Sequence, residues 1–258
     1  MYVTFVFDGL QFGGIERVGV EYIKLLCQRG YSVNIVNLKP KLNAMEKELP
    51  KETEIHYISY PRAIVSQRYS KLKRYSIIGK LFFYLAAGFC EAIQKVYKFF
   101  YKKKLSEPDI AIAFSGHYND LAFVSKNFGK SKIIAWLHGS EASYNELSPG
   151  FFDLYGKIKN LVCLSNKDDD KIAAFNVKNG INKIRIYNPV NLADRVVDGR
   201  LVGNLKSSYG DFVLMVGRLA KDKDQATLIH SIKILYEKYS LKKNLLLVGD
   251  GPEKGRLE

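Results

Sequence analysis

Arg218 and Lys223 are the two residues of this sequence best placed to hold an anion. Residues 212–216 form an apolar run without alternation, which predicts a strand buried on both faces. Gly217 permits a tight turn after it. Leu228, Ile229, Ile232 and Leu235 then recur at helical spacing, with Asp222 or Asp224 available as the cap. Both cations thus fall at the carboxyl end of a strand and beside a helix N-terminus, where open α/β sheets bind ligands. That setting suits a diphosphate. From spacing alone, solvated loop charges are the competing account.

Two further groups have chemical potential. Gly13 and Gly14 stand just before a helical pattern with Glu16 in its first turn, so bare backbone amides have room to approach a phosphate; a flexible strand-to-helix turn explains them equally. The spacing is not that of a dinucleotide fingerprint. His138, followed by Gly139, lies at a strand's carboxyl end, whereas His56 lies within a strand pattern. A satisfied structural histidine and a ligand-facing one are both open. Asp168, Asp169 and Asp170 complement a helix dipole more readily than they ligate a metal, and no metal site is expected.

The elements that must position these residues follow from periodicity. Strands are predicted at 2–7, 32–38, 54–59, 109–114, 133–137, 161–164 and 184–187, with helices at 16–29 and from Ser165 to about residue 177. Residues 115–120, which include His117, Tyr118 and Asn119, read as a polar loop. Alternating strands and helices of this kind predict an α/β fold with parallel strands. Residues 191–210 read as a polar, glycine-bearing linker, and a second strand–helix–strand unit spans 211–258.

The segments Val216-Gly217-Arg218-Leu219, Lys223-Asp224-Gln225-Ala226-Thr227-Leu228-Ile229 and Leu246-Leu247-Val248-Gly249-Asp250-Gly251-Pro252 together resemble the retaining glycosyltransferases of family 4. Gly13, Gly14 and Glu16 match that family's Gly-Gly loop, Trp136-Leu137-His138-Gly139 its histidine segment, and Asn188-Pro189-Val190 its hinge. The resemblance implies the GT-B fold: an N-terminal, acceptor-side Rossmann-like domain (1–190), a linker (191–210) and the beginning of a C-terminal nucleotide-sugar-binding domain (211–258). It implies that Arg218 and Lys223 hold the diphosphate of a nucleotide-sugar donor and that His138 reaches the donor sugar. Gly13, Gly14, Glu16, Gly217, Gly249 and Gly251 would line the donor, and His117, Tyr118 and Asn119 the acceptor side. Neither metal nor cofactor is implied beyond the nucleotide-diphosphate-sugar substrate. The acceptor would be a saccharide or lipid-linked saccharide, in surface polysaccharide or glycolipid synthesis, with configuration retained by front-face attack.

Composition adds a partner. The net charge is +14, and residues 62–104 hold eleven basic residues against Glu91 alone. No nucleic-acid motif accompanies this charge, so nucleic acid is not the expected partner. Leu81 to Cys90 forms an apolar centre of about ten residues beside the lysines, too short to span a bilayer. An anionic membrane surface fits it, as does an ordinary domain helix with a basic exposed face. The three cysteines lack disulfide or zinc spacing, and the N-terminus lacks a leader pattern. A cytoplasmic protein, peripheral on the inner face of the membrane, is expected.

The family's later segment with two glutamates does not occur within residues 1–258. The chain by itself is therefore expected to be inactive and poorly soluble. Two rivals stand beside a transferase: a fragment that only binds acceptor or membrane, and a GT-B nucleotide-sugar epimerase, which would need an acid–base carboxylate pair.

Overall fold

A computed structural model describes residues 1–61, 64, 69, 72, 77–101, 105–141, 144, 150–165, 170–189 and 198–258, with the side chains of residues 170 and 171 excepted. Arg62, Arg68, Lys71, Lys73, Arg74, residues 102–104, Asp168, Asp169 and residues 190–197 lie outside this set. The chain divides into two units, Met1–Asn191 and Leu192–Glu258.

In the first unit, β1 (Tyr2–Phe7) divides the core by simple alternation. Val3, Phe5 and Phe7 pack with Val20 and Ile23 of α1 (Gly14–Gln28), while Val6 joins the cluster of Leu121, Phe123 and Val124 from α3 (Tyr118–Asn127). Layers cover both sides of the strand, so its sequence has no polar phase. The other strands are β2 (Ser32–Asn37), β3 (Glu54–Tyr57), β4 (Ile110–Ala113), β5 (Lys132–Leu137), β6 (Asn160–Cys163) and β7 (Asn182–Arg185). They pair in parallel in the order β3-β2-β1-β4-β5-β6-β7. Helices α4 (Gly150–Ile158) and α5 (Asp170–Asn179) precede β6 and β7. The strand order reverses between β1 and β4, which opens a crevice beyond their carboxyl ends.

Two expectations change in this unit. Tyr118, Asn119 and Asp120 are the first turn of α3 rather than loop, with His117 at the N-cap. The apolar centre near residue 85 belongs to α2 (Ile77–Tyr101), a helix of 25 residues that by length and composition is long and apolar enough to cross a membrane. The sequence reading ended the apolar centre at Lys80 and Glu91, although Ile93, Val96, Tyr97 and Phe100 continue it at helical spacing, and the helix runs through both charges. Phe83, Cys90 and Tyr101 are buried on α2, but Ile77, Phe89 and Phe99 are 84%, 68% and 78% exposed. A helix on a water-facing surface normally turns its apolar stripe inward. Here Gln94 and Lys98 lie on the inner flank, bonding the carbonyl oxygens of Ile64 and Lys126 at 2.6 and 3.2 Å.

The second unit pairs β8 (Phe212–Val216) with β9 (Asn244–Val248) in parallel, with α7 (Gln225–Tyr239) between them and α8 (Lys254–Leu257) after them. The stretch expected to be linker contains α6 (Gly199–Tyr209), capped by Asp198 through the amides of Arg200 and Leu201. β8 is partly covered, not buried on both faces: Leu214 and Val216 are 53% and 68% exposed.

Candidate active site

The crevice of the first unit is built around Asp8, directly after β1. Its amide donates to Ser115 Oγ at 2.9 Å, which ties the end of β1 to the end of β4. Its carboxylate takes three partners: Lys39 Nζ at 2.8 Å, Asn119 Nδ2 at 2.9 Å and His117 Nδ1 at 3.3 Å. Burial alone would raise the Asp8 carboxyl, but the bonds from His117, Lys39 and Asn119 outweigh it and hold the group below the usual carboxylate range. The same bond to Asp8 lifts the His117 imidazole above its ordinary value against the opposing effect of burial.

Asp120 stands one helical step further on and is fully buried. Its Oδ2 accepts from the Gly116 amide at 2.9 Å, and Oδ1 has no partner among the described residues. Burial pushes this carboxyl up to about 8, so at neutral pH it is largely a neutral acid beside the charged Asp8–His117 pair. Gly116 has φ +63°, and a Cβ there would strike the Trp136 carbonyl, so the turn into α3 requires glycine.

Gly13 is the N-cap of α1 in extended conformation. A side chain at Gly13 would run into the Glu16 carboxylate, whereas Gly14 faces open space. Glu16, 8% exposed, sits at the third helical position and folds back toward the helix start, as in a capping box. Burial raises its carboxyl, with nearby Asp8 adding to the rise and His117 opposing it. The start of α1 therefore already carries an acidic group from the protein itself, and Gly14 is the residue with open space beside it.

His138 follows β5. Its Nε2 lies 2.7 Å from the Phe114 carbonyl oxygen, which assigns the ring proton to Nε2 and leaves Nδ1 as an acceptor. Burial pulls the imidazole below its ordinary value and keeps it neutral. The loop that carries it is anchored by Glu141, which sequence reasoning missed: Glu141 is 4% exposed and pairs with Lys183 of β7 at 2.6 Å.

Tyr118 and Asn119 help to line a cavity of about 510 Å³, with Leu38, Lys39, Tyr60 and Phe123 among its walls. It opens beyond the carboxyl ends of β2 and β3. His117 is not among its lining residues; its imidazole is engaged by Asp8.

In the second unit, Asp224 caps α7 through the Thr227 amide at 3.4 Å and adopts φ 52°. Asp222, the other candidate cap, has a different role. Its carboxylate lies 3.3 Å from Arg218 Nη2 and 3.7 Å from Lys223 Nζ, so one acid stands between the two expected diphosphate ligands. Arg218 and Lys223 stay 65% and 53% exposed at the side chain. Gln225, 2% exposed, donates to the Arg218 carbonyl at 2.9 Å and fixes the loop from below. A Cβ on Gly249 would strike the Gly217 carbonyl, and one on Gly251 would strike the Leu219 carbonyl. The Gly217 and Leu219 amides bond to Val248 and Asp250 carbonyls at 3.0 Å each. Two of the expected donor glycines, Gly249 and Gly251, thus serve first to let the two post-strand loops touch, whereas Gly217 has open space around it.

The residues expected to act fall into two sets, one per unit: Gly13, Gly14, Glu16, His117, Tyr118, Asn119 and His138 in the first, and Gly217, Arg218, Lys223, Gly249 and Gly251 in the second. Among the described residues, no group of three or more His, Cys, Asp or Glu side chains could hold a metal ion.

No family model matches the chain, and a sequence search of curated proteins finds no match. Solved structures do match. TarM of S. aureus aligns with a TM-score of 0.60 at 9% identity over 99% of this chain and 73% of its own. Anabaena HepE, solved with UDP and glucose, aligns at 0.58 and 14% identity over 98% of this chain. A glycosyltransferase from Rickettsia africae aligns at 0.50 and 16% identity over 96% of this chain. The chain spans about 62% of the length of HepE. These likenesses assign the fold: α/β, of the GT-B class.

Proposed function

We propose that the chain is part of a retaining glycosyltransferase, of the family 4 type, that moves a sugar from a nucleotide-diphosphate-sugar to a saccharide or lipid-linked saccharide. The observation that carries this reading is the pair Arg218 and Lys223. Both are exposed after β8, both lean on Asp222, and both stand at the start of α7. In this role they take up the charge that develops on the diphosphate as the bond from the anomeric carbon to its oxygen breaks. The acceptor hydroxyl forms the new bond on the same face and passes its proton to the departing phosphate oxygen. His138 serves as an acceptor for a sugar hydroxyl through Nδ1, supported by its fixed tautomer and neutral ring. Gly13, Gly14 and Glu16 line the donor, and His117, Tyr118 and Asn119 shape the acceptor side.

The experiment is transfer from UDP-glucose by the protein containing this chain, with Arg218→Ala and Lys223→Ala compared under saturating donor. Each substitution is expected to lower kcat by about 10²–10³-fold while the fold is retained. Turnover within a few-fold of the unaltered protein would overturn the assignment.

The chain acts at an anionic membrane surface, on the reading that the outward apolar face of α2 supports. The hydrogen bonds of Gln94 and Lys98 along the inner flank fasten α2 to the rest of its unit. A helix held this way suits the plane of the membrane interface, with Lys80 and Lys95 beside lipid phosphates.

A further inference from the structure

A second cavity, about 390 Å³, opens along the inner flank of α2. Lys95 and Lys98 from α2, Lys126 from α3 and Lys157 from α4 line it, against Glu91 alone among the described acidic side chains. Lys126 Nζ is 3.2 Å from Gln94 Oε1 and 3.9 Å from Glu91 Oε1, so its ammonium has one distant carboxylate for four clustered cations. Burial pulls Lys126 below its ordinary value; Glu91 opposes this, and Lys157 and Lys95 add to it. Unneutralised cations held together cost the free protein stability, and an anion relieves that cost.

The cavity has two neighbours. On one side, Lys95 shares a flank of α2 with Phe99 one turn on, and Phe99 belongs to the exposed apolar face. On the other side, Tyr60, Gln94, Lys126 and Asn127 line both this cavity and the 510 Å³ cavity that reaches Asn119. An apolar surface, a cationic cavity and a mixed cavity beside Asp8 therefore follow one another within the first unit.

We propose that the lysine cavity is a phosphate subsite for a lipid phosphate: the hydrocarbon chain lies on the apolar face of α2, the phosphate among Lys95, Lys98, Lys126 and Lys157, and the polar end beyond the phosphate in the larger cavity. The role of that lipid as acceptor rests on the transferase reading; its binding does not.

The test is calorimetric binding of dodecyl phosphate below its micellar concentration to this chain, with inorganic phosphate and a neutral dodecyl glycoside as comparisons. Lys95 and Lys157 are both exposed on their helices, so Lys95→Gln/Lys157→Gln is the variant of choice, with its thermal melting measured alongside. Dodecyl phosphate is expected to bind more tightly than either comparison, and the double variant to weaken it at least about tenfold. Inorganic phosphate binding as tightly would mark a free-anion site and overturn the lipid assignment. Equal binding of the neutral glycoside, or no loss in the double variant, would overturn the phosphate subsite. UDP binding by the protein containing this chain is followed in parallel: its absence, with dodecyl phosphate still bound, would sink the transferase reading and leave this site standing.

Discussion

Asn119 Nδ2 donates to Asp8 Oδ1 at 2.9 Å, across 111 positions of sequence. The bond joins the first turn of α3 to the end of β1, the two segments that flank the reversal in strand order. It also means that Asn119 and His117 present themselves to a ligand from fixed positions, because Asp8 has already engaged one polar end of each.

Asp8→Asn should release His117. The Asp8 bond raises the His117 value, so the stability this pair provides is complete below the ordinary histidine value of 6.5 and is lost as pH rises through the higher folded value. In Asp8→Asn, the His117 ring should titrate at lower pH by NMR, and that slope in stability should flatten. An unmoved His117 titration would show that Asp8 does not set it.

Asp120→Asn tests the buried neutral acid. Its folded value of about 8 exceeds the unfolded 3.8, so folding becomes less favourable as pH rises between the two. The amide keeps an acceptor for the Gly116 amide and cannot ionise. The variant should match the parent near pH 4 and be the more stable protein at pH 8 by urea denaturation. Greater loss at pH 8 than at pH 4 would contradict a neutral Asp120.

Glycine substitutions should separate contact from access. Gly251→Ala drives a methyl group into the Leu219 carbonyl and should lower the melting temperature of its unit. Gly14→Ala meets open space and should leave melting unchanged. A weaker affinity for UDP-glucose in Gly14→Ala would then place the donor beside α1. Equal melting losses in both variants would refute the geometric distinction.

Asp222→Asn addresses the acid between the two cations. Desolvation works against its charge, but the bond from Arg218 and the nearby Lys223 hold its carboxyl below the usual range. A diphosphate must compete with it for the same cations. Removing one exposed competitor should tighten UDP binding by about 2- to 5-fold at low salt, with the difference shrinking as salt rises. Weaker binding would show instead that Asp222 positions the pair.

The outward face of α2 should carry membrane affinity. Leu85→Ser/Phe89→Ser removes two exposed apolar groups, each worth about 1.5–3 kcal/mol when buried, and should cut partitioning onto anionic vesicles more than tenfold. Salt should weaken what remains. Unchanged partitioning of the double variant, or a salt-insensitive preference for neutral vesicles, would remove α2 from the membrane.

β1 and β8 were legible to the residue because a run of mostly apolar residues, closed by Asp8 in one case and Gly217 in the other, leaves one reading. α3 was not: His117 makes no side-chain cap bond, and the helix start is held by Asp120 reaching back to Gly116, a contact visible only in three dimensions. α6 carried ordinary signals, Asp198 before it and Gly210 after it at φ 60°, but Gly199 and Gly203 made the stretch read as linker. In the site, the cations and glycines had recognisable spacing. Asp222 between Arg218 and Lys223, and Glu141 against Lys183, depend on side-chain direction and had no sequence signal.

Strand order has a consequence for biosynthesis. β1 is made before both of its neighbours, pairing on one flank with β2 and on the other with β4, whose residues begin at Ile110. Until that point leaves the ribosome, one side of a largely apolar strand has no hydrogen-bonding neighbour. Closing that distant pairing is slow by its separation in sequence, so the Asp8 crevice and the sheet's vulnerable edge mature in the same step. Substitutions that weaken the β1–β4 pairing should therefore reduce the yield of folded protein before they alter the finished site.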